Sequence, residues 1–558
     1  MRMRILLTTA FLLSLVVAAP GVAAEPHEVL ASVPDSATVV VSINDMNAID
    51  TKARKLMGDM KMIAISPIMM FRGTVLSIVD GMDESGSMAF AIMPFASPAE
   101  MNQRMAILLP TTDRAKLTQF IQPEPVEGEG DFLKVSIKSA GETTAYLGAK
   151  GKYSVISPSL DTVKAMQSAG GNMAGALSPA ARAVVRRNDI CVLLKPAALL
   201  AAGGADDQGM RMLAASLGLT LDELKKTQSA HFGVRLDEAG LVLEGGMTGA
   251  AAPGPVAEGS LLTGLPADRF ILVWGMNGHT VRQSITARYG PMIDLAPQFV
   301  PERREAVKSA ISAIGEGVRS VAASVSALPE GPDGLVAMTK VVQCEGPADE
   351  LMRRFERLVT VLKEGAVSDP KMQAGLARLS YSRAVEQTSD GVAVDQLRVD
   401  LAGVEGPDPA ALMRVLGRDG LCVRMAAVDG KFVVATIGGG LARMEQAIAV
   451  VRRGGAPLAE DPLIAGAAKR LQGSRTAEGY LMLDRGLALG RAIVKALDEK
   501  APLPTMKEQA APIAVGAFMA GDSSSWELMV PYATVLAIKD VASDAAAGFA
   551  GQAMGGQQ

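Results

Sequence analysis

VRMAAVDGKFVVATIGGGLARMEQAIAVV, residues 423–451, holds in one stretch the pattern from which the fold is read. Two apolar runs flank Asp429-Gly430. That dipeptide tolerates the positive φ angles of a tight turn matched to strand twist, so the first half predicts a β-hairpin. Behind it Leu441, Met444, Ile448 and Val451 fall on one face of a 3.6-residue period and predict a helix that follows Gly438-Gly439-Gly440. A hairpin running into a helix predicts an α+β fold, with a mixed or mainly antiparallel sheet and helices packed on one face. A doubly wound parallel sheet is disfavoured.

The same arrangement stands earlier in the chain, where AKGKYSVIS around Gly151 resembles VDGKFVVAT around Gly430. Working outward from the two hairpins, further pairs keep one order. MAILLPTTDRAKLTQF from Met105 resembles MTKVVQCEGPADELMRRF from Met338, each a strand leading through a polar turn into a helix. Leu351, Phe355, Leu358, Val359 and Leu362 mark the apolar face of the second helix, which follows Pro347. VPDSATVVVSINDM from Val33 resembles LPADRFILVWGMNG from Leu265, with Pro34 matching Pro266. HFGVRLDEAGLVLEG from His231 resembles IAVGAFMAGDSSSWELMV from Ile513 more loosely. Chance similarity would not keep that order, so the chain is expected to hold two copies of one unit. The expected division is a signal peptide at 1–24, a first α+β unit at 25–248, a Gly/Pro/Ala linker at 249–260, a second unit at 261–540 and a disordered tail at 541–558. The second unit is expected to carry an insertion between 356 and 429 that includes a helix in PDPAALMRVLG from Pro407.

Of 558 residues, 49% are hydrophobic and 20% charged, with a mean hydropathy of +0.24, which is enough apolar matter for more than one core. Disorder is thereby excluded for the chain as a whole. Aromatics at 4% are too few for the stacking platforms of sugar and single-strand binders. Arg2 and Arg4, the apolar run Ile5 to Ala19 and Val22-Ala23-Ala24 read as the charged end, core and cleavage site of a secretory signal, with cleavage expected before Glu25. The run is shorter than the ~20 residues of a spanning helix, and Pro20-Gly21 ends it. A mature chain in the periplasm or outside the cell, without a transmembrane segment, is expected. Loss of Arg2 and Arg4 takes the formal charge from −4 to −6, which disfavours nucleic acid as a partner.

The chemistry-bearing residues are sparse. His27, His231 and His279 stand far apart, which removes every zinc site built on paired local histidines. Cys191, Cys344 and Cys422 are an odd, widely spaced set in strand-like text and read as buried free thiols. There is no GxSxG elbow and no Walker loop; Gly151-Lys152 and Gly430-Lys431 sit on hairpin turns. Gly438-Gly439-Gly440 has the strand-to-helix context of a phosphate cradle, but Arg443 occupies the place of the third fingerprint glycine. Glu124, Glu127, Glu129 and Asp131 form an acidic loop without EF-hand spacing, read as solvated. Met57, Met60, Met62, Met69 and Met70 cluster closely. Their thioethers suit Cu(I), core filling or an adaptable apolar surface, and the sequence leaves these open. No catalytic, cofactor-binding or metal-ligating residue is assigned, and no cofactor is expected.

The openings VPDSATVVVSINDMNAID and LPADRFILVWGMN, each a proline, an acidic residue and a strand entering an α+β unit behind a signal peptide, resemble those of large secreted bacterial proteins grouped as domains of unknown function. The resemblance implies an exported, duplicated, non-enzymatic protein and supplies no catalytic residue. The expected function is a binding or structural role in the cell envelope, with sheet faces or a cleft holding a protein, a peptide or an apolar ligand. The alternative is a hydrolase whose site is assembled from distant residues.

Overall fold

The computed structural model describes residues 27–63, 66–70, 80–97, 99–119, 123–137, 143–203, 221–249, 260–285, 289–400, 409–471, 473–497, 503–520 and 523–541. The signal peptide expected at 1–24, and nearly all of the expected linker and tail, lie outside the described residues. By its internal contacts the chain divides into two units, one of Met1–Met210, Asp222–Ala252 and Ala520–Tyr532, the other of Arg211–Leu221, Pro253–Met519 and Ala533–Gln558.

The first unit is built on β1 (Val39–Ile43), β2 (Met88–Ile92), β3 (Met105–Pro110), β4 (Glu124–Pro125), β5 (Leu133–Ile137), β6 (Thr143–Lys150), β7 (Tyr153–Ser157), β8 (Ile190–Leu194), β9 (Ser229–Asp237) and β10 (Gly240–Thr248). Its strands lie in the order β4-β5-β6-β7-β3-β2-β1-β8-β9-β10. Every one of these pairings is antiparallel. A last strand, β20 (Ser523–Pro531), pairs with β10, which is why it counts with the first unit although a division at 261–540 puts it in the second.

The second unit comprises β11 (Phe270–Asn277), β12 (Val318–Ala327), β13 (Val336–Cys344), β14 (Leu379–Gln387), β15 (Ala393–Val399), β16 (Cys422–Val428), β17 (Phe432–Ile437), β18 (Arg475–Leu481) and β19 (Ile513–Ala520). Their order is β14-β15-β16-β17-β13-β12-β11-β18-β19, again antiparallel throughout. The fold class is therefore α+β. Asp429 and Gly430 have φ of 51° and 65° between β16 and β17, as a tight turn between twisted strands requires. The helix read behind them spans Gly440–Arg453 with Met444, Ala447, Ile448 and Val451 buried, and the one behind Pro347 spans Ala348–Lys363. Pro409–Leu416 is helical within the expected insertion.

The expectation that helices cover one face only is corrected. In the second unit Leu351 and Met352 of the Ala348–Lys363 helix pack with Val342 and Val433, while Arg443 of the Gly440–Arg453 helix donates from Nε to Thr339 Oγ1 at 2.8 Å. Residues 339 and 342 of one strand point to opposite faces. In the first unit Leu108 and Val155 share a core with Val163 and Met166 of the Leu160–Ser168 helix, whereas their strand neighbours Leu109 and Ile156 share another with Leu117 and Met46. The cause is in the strands: runs such as ILLP and FVVAT are apolar on both faces, so each face needs cover.

Candidate functional site

The residues that carry chemistry do not assemble a reactive centre. His27 and Cys191 come within 3.7 Å, Nε2 to Sγ, both fully buried. His27 Nε2 donates to the Asn188 carbonyl at 2.9 Å, so that nitrogen has no lone pair with which to take the thiol proton. Burial lowers the His27 pKa to about 4 and raises that of Cys191 well above its ordinary value, with Glu244 and Asp189 adding to the second shift. The pair is neutral and sealed from solvent, the opposite of an activated thiolate. Cys344 and Cys422 are likewise buried free thiols.

His231 is buried against Gly246, its cross-strand partner, where an added Cβ would stand 2.7 Å from the ring Nε2. Neither ring nitrogen has a hydrogen-bond partner among the described residues, and burial lowers the pKa to about 4. The ring borders a cavity of about 40 Å³ with Thr38, Met173, Leu177, Leu193, Lys195 and Ser229, room for a water or two.

Beside it lies a buried ion network. The Pro179–Arg187 helix, capped by Ser178, ends by delivering Arg187 and Asn188 to Glu244. Arg187 donates to Glu244 Oε2 at 2.6 Å and to Oε1 at 3.3 Å, Asn188 Nδ2 donates to Oε1, and Arg235 reaches Oε1 at 3.4 Å. Glu527 stands directly opposite Glu244 across β10 and β20, and Arg235 also approaches it, at 3.7 Å. Two buried carboxylates with guanidinium groups between them form a neutralised network under the helix.

The glycine turn is structural. Gly438, Gly439 and Gly440 all have positive φ, and a Cβ at Gly438 would lie 1.9 Å from the Val336 carbonyl oxygen. The Arg443 side chain lies over Gly439 and forms an ion pair with Asp268, the acidic residue of the LPAD opening. The Asp333 carboxylate stands 3.2 Å from where a Cβ of Gly440 would be, so the helix N-terminus already faces an anion of the chain. In the acidic loop Glu124 and Glu129 pair with Lys134 and Lys164. Among the described residues no group of three or more His, Cys, Asp or Glu could hold a metal, and no helix is long and apolar enough to cross a membrane. Of the clustered methionines, Met57 and Met60 are half-buried, while Met62 and Met69 are 51% and 72% exposed.

What the strands do assemble is an apolar face. In the first unit Ile107, Phe90, Val41, Val192, Phe232, Gly245 and Trp526 are successive cross-strand partners in one row over seven strands, about 29 Å at the usual strand spacing. The side chains of this row are half-buried, Ile107 and Phe90 against the core that holds Leu117 and Met46, and at the other end Phe232 and Trp526 meet at 6.3 Å between ring centroids. The rows beside it carry Ile92, Val39, Leu194 and Met247, and Val234, Leu243 and Leu528. The opposite face of the same strands carries Ser42, Cys191, His231 and Glu244, all buried. A sheet with one open face normally puts its polar side chains there; here the polar groups are enclosed and the half-open face is apolar. In the second unit Leu272 and Val515 are 36% and 41% exposed on a face shared with Trp274 and Leu481. The alternation Phe232, Val234, Leu236 was legible in the sequence, but not which face it served.

No protein-family model matches the chain, and no curated protein matches it. Among solved structures, crystal forms III and I of TP0453 align with 51% and 52% of this chain and 99% of that one, each at 10% identity. Their TM-scores of 0.23 and 0.21 carry no argument about fold or function.

Proposed function

We propose that the chain is an exported cell-envelope protein of two related α+β units that works by binding rather than catalysis, with the apolar sheet faces as its contact surfaces. The observation that carries the reading is the unbroken apolar row from Ile107 to Trp526, packed on a helix-covered core at Ile107 and Phe90 and with half-buried side chains from Val41 to Trp526. A protein segment, a peptide or an apolar ligand fits such a face. Export rests on Arg2, Arg4, the Ile5 to Ala19 run and the Val22-Ala23-Ala24 site, and the likeness of the two openings to secreted bacterial proteins of unknown function agrees with it.

The duplication is supported by strand order: β5-β6-β7-β3-β2-β1-β8-β9 in one unit corresponds strand for strand to β15-β16-β17-β13-β12-β11-β18-β19 in the other. Val39–Ile43 and Ile271–Gly275 fall in corresponding strands, and a bulge between Phe270 and Leu272 supplies one extra residue in the second. Two measurements test the function. The purified, folded chain should bind the neutral dye Nile red, and Phe232→Ser with Trp526→Ser should weaken that binding at unchanged far-UV circular dichroism. No dye binding by the folded chain overturns the reading. N-terminal sequencing from a bacterial host should find Glu25 first, in the periplasmic fraction or the medium; an intact Met1 in the cytoplasm overturns export.

A further inference from the structure

Laid over one another by register, the two sheets place Lys340 of β13 where the first unit has Ile107. The cross-strand partners change with it. Ile107 lies between Phe90 and Ile156, whereas Lys340 lies between Ala323 and Ala435. Two bulky neighbours have become methyl groups around the one residue that has become a cation. Next in the row stands Trp274, partner of Ala323. Met338 and Val342, two positions either way along the strand on this face, are apolar. Lys340 is exposed and among the described residues no carboxylate pairs with it, while loss of hydration holds its pKa below the ordinary value of 10.5.

Resting on the reading of the sheet faces as binding surfaces, we infer that the second unit binds a singly charged anionic amphiphile, a long-chain carboxylate, with its head on Lys340 and its chain over Trp274 and Leu272. The charge selects the head: a lysine is a compact point charge, and its strand neighbours Ala323, Ala435, Met338 and Val342 add no second cation to call for a dianion. The apolar neighbours select the chain. Trp274, half-buried, lies in the row between Lys340 and Val515, and Leu272 and Val515 are the exposed apolar side chains at the far end.

Trp274 supplies the assay, since the chain has 2 tryptophans and Trp526→Phe leaves it alone. A bromine-labelled long-chain fatty acid and its methyl ester are titrated against that variant, with quenching of Trp274 as the readout. The acid should bind about tenfold more tightly than the ester. Lys340→Met should make the two equal, and Lys340→Arg should keep the preference, which separates charge from a loss of fold. Equal binding of acid and ester before the lysine is changed, or a preference that survives Lys340→Met, overturns the inference and leaves the apolar-face reading standing. No quenching by either ligand overturns both for this unit.

Discussion

Replacing Glu244 by Gln tests whether the buried network holds the first unit together. Oε1 of Glu244 accepts from Arg187 Nε at 3.3 Å, from Arg235 Nη1 at 3.4 Å and from Asn188, and Oε2 accepts from Arg187 Nη2 at 2.6 Å. An amide offers one acceptor oxygen. If that oxygen takes the place of Oε1, the NH2 group is aimed at Arg187 Nη2, donor against donor; the other orientation opposes three donors at once. The lower-cost orientation loses one charge-assisted hydrogen bond and the charge itself. Such bonds contribute about 1.5–3 kcal/mol, and Arg187, 38% exposed, can turn to water and recover part of that. The expected loss is about 2 kcal/mol, a fall of roughly 4–8 °C in the midpoint for a unit of this size. Trp526, on the strand paired with that of Glu244, reports this unit once Trp274 is changed to Phe. Thermal and urea melts followed by its emission should show the loss for Glu244→Gln and a larger one for Glu244→Ala. A change below about 0.5 kcal/mol for Glu244→Gln, within the scatter of ordinary surface substitutions, would refute the reasoning.

Three further outcomes are expected. His27 and His231 have folded pKa values of about 4 against 6.5 unfolded, so the unfolded chain takes up the extra protons. Stability is complete above about pH 6.5 and falls toward pH 4, by up to about 3 kcal/mol per ring, and His231→Leu should flatten the pH dependence of the urea midpoint. Gly438→Ala, with φ +68° and a Cβ 1.9 Å from Val336 O, should lose about 4 kcal/mol or more. Gly430→Ala, with φ +65° and open space around it, should lose about 1–2 kcal/mol; equal losses would mean that the close approach at Gly438 is not what fixes the turn. The thiols of Cys191, Cys344 and Cys422 should resist Ellman's reagent in the folded chain and all react in urea; rapid labelling of any one of them without denaturant contradicts the burial.

Local features were legible in the sequence because one stretch contains their whole cause. Asp429-Gly430 sets its own backbone angles, and Leu351 with Val359 marks the buried side of its helix by spacing alone. The Glu244 network was not legible, because nothing in the text GLVLEGG says that Arg187, fifty-odd residues upstream on a helix end, closes over that glutamate. Arg443 was read only as a missing glycine, whereas its partner Asp268 lies in the opening of the unit, across most of its length. The cover on both faces was missed for a related reason: a strand apolar on both sides looks, by itself, like any buried strand. Lys340 is visible in MTKVVQ as a break in the apolar text, but the alanines that flank it come from two other strands.

The pairing of β20 with β10 bears on the order in which the protein can be made. Thr248 and Ser523 are partners in one ladder although nearly half the chain separates them. During synthesis, Gly240–Thr248 therefore waits, with its outer row of main-chain N–H and C=O groups unpaired, until Ser523–Pro531 emerges. Closing so long a loop is slow compared with forming the hairpins that precede it. Over that interval the incomplete sheet offers any other strand a template, and a nascent chain stalled just short of Ser523 would keep that open edge for as long as the stall lasted.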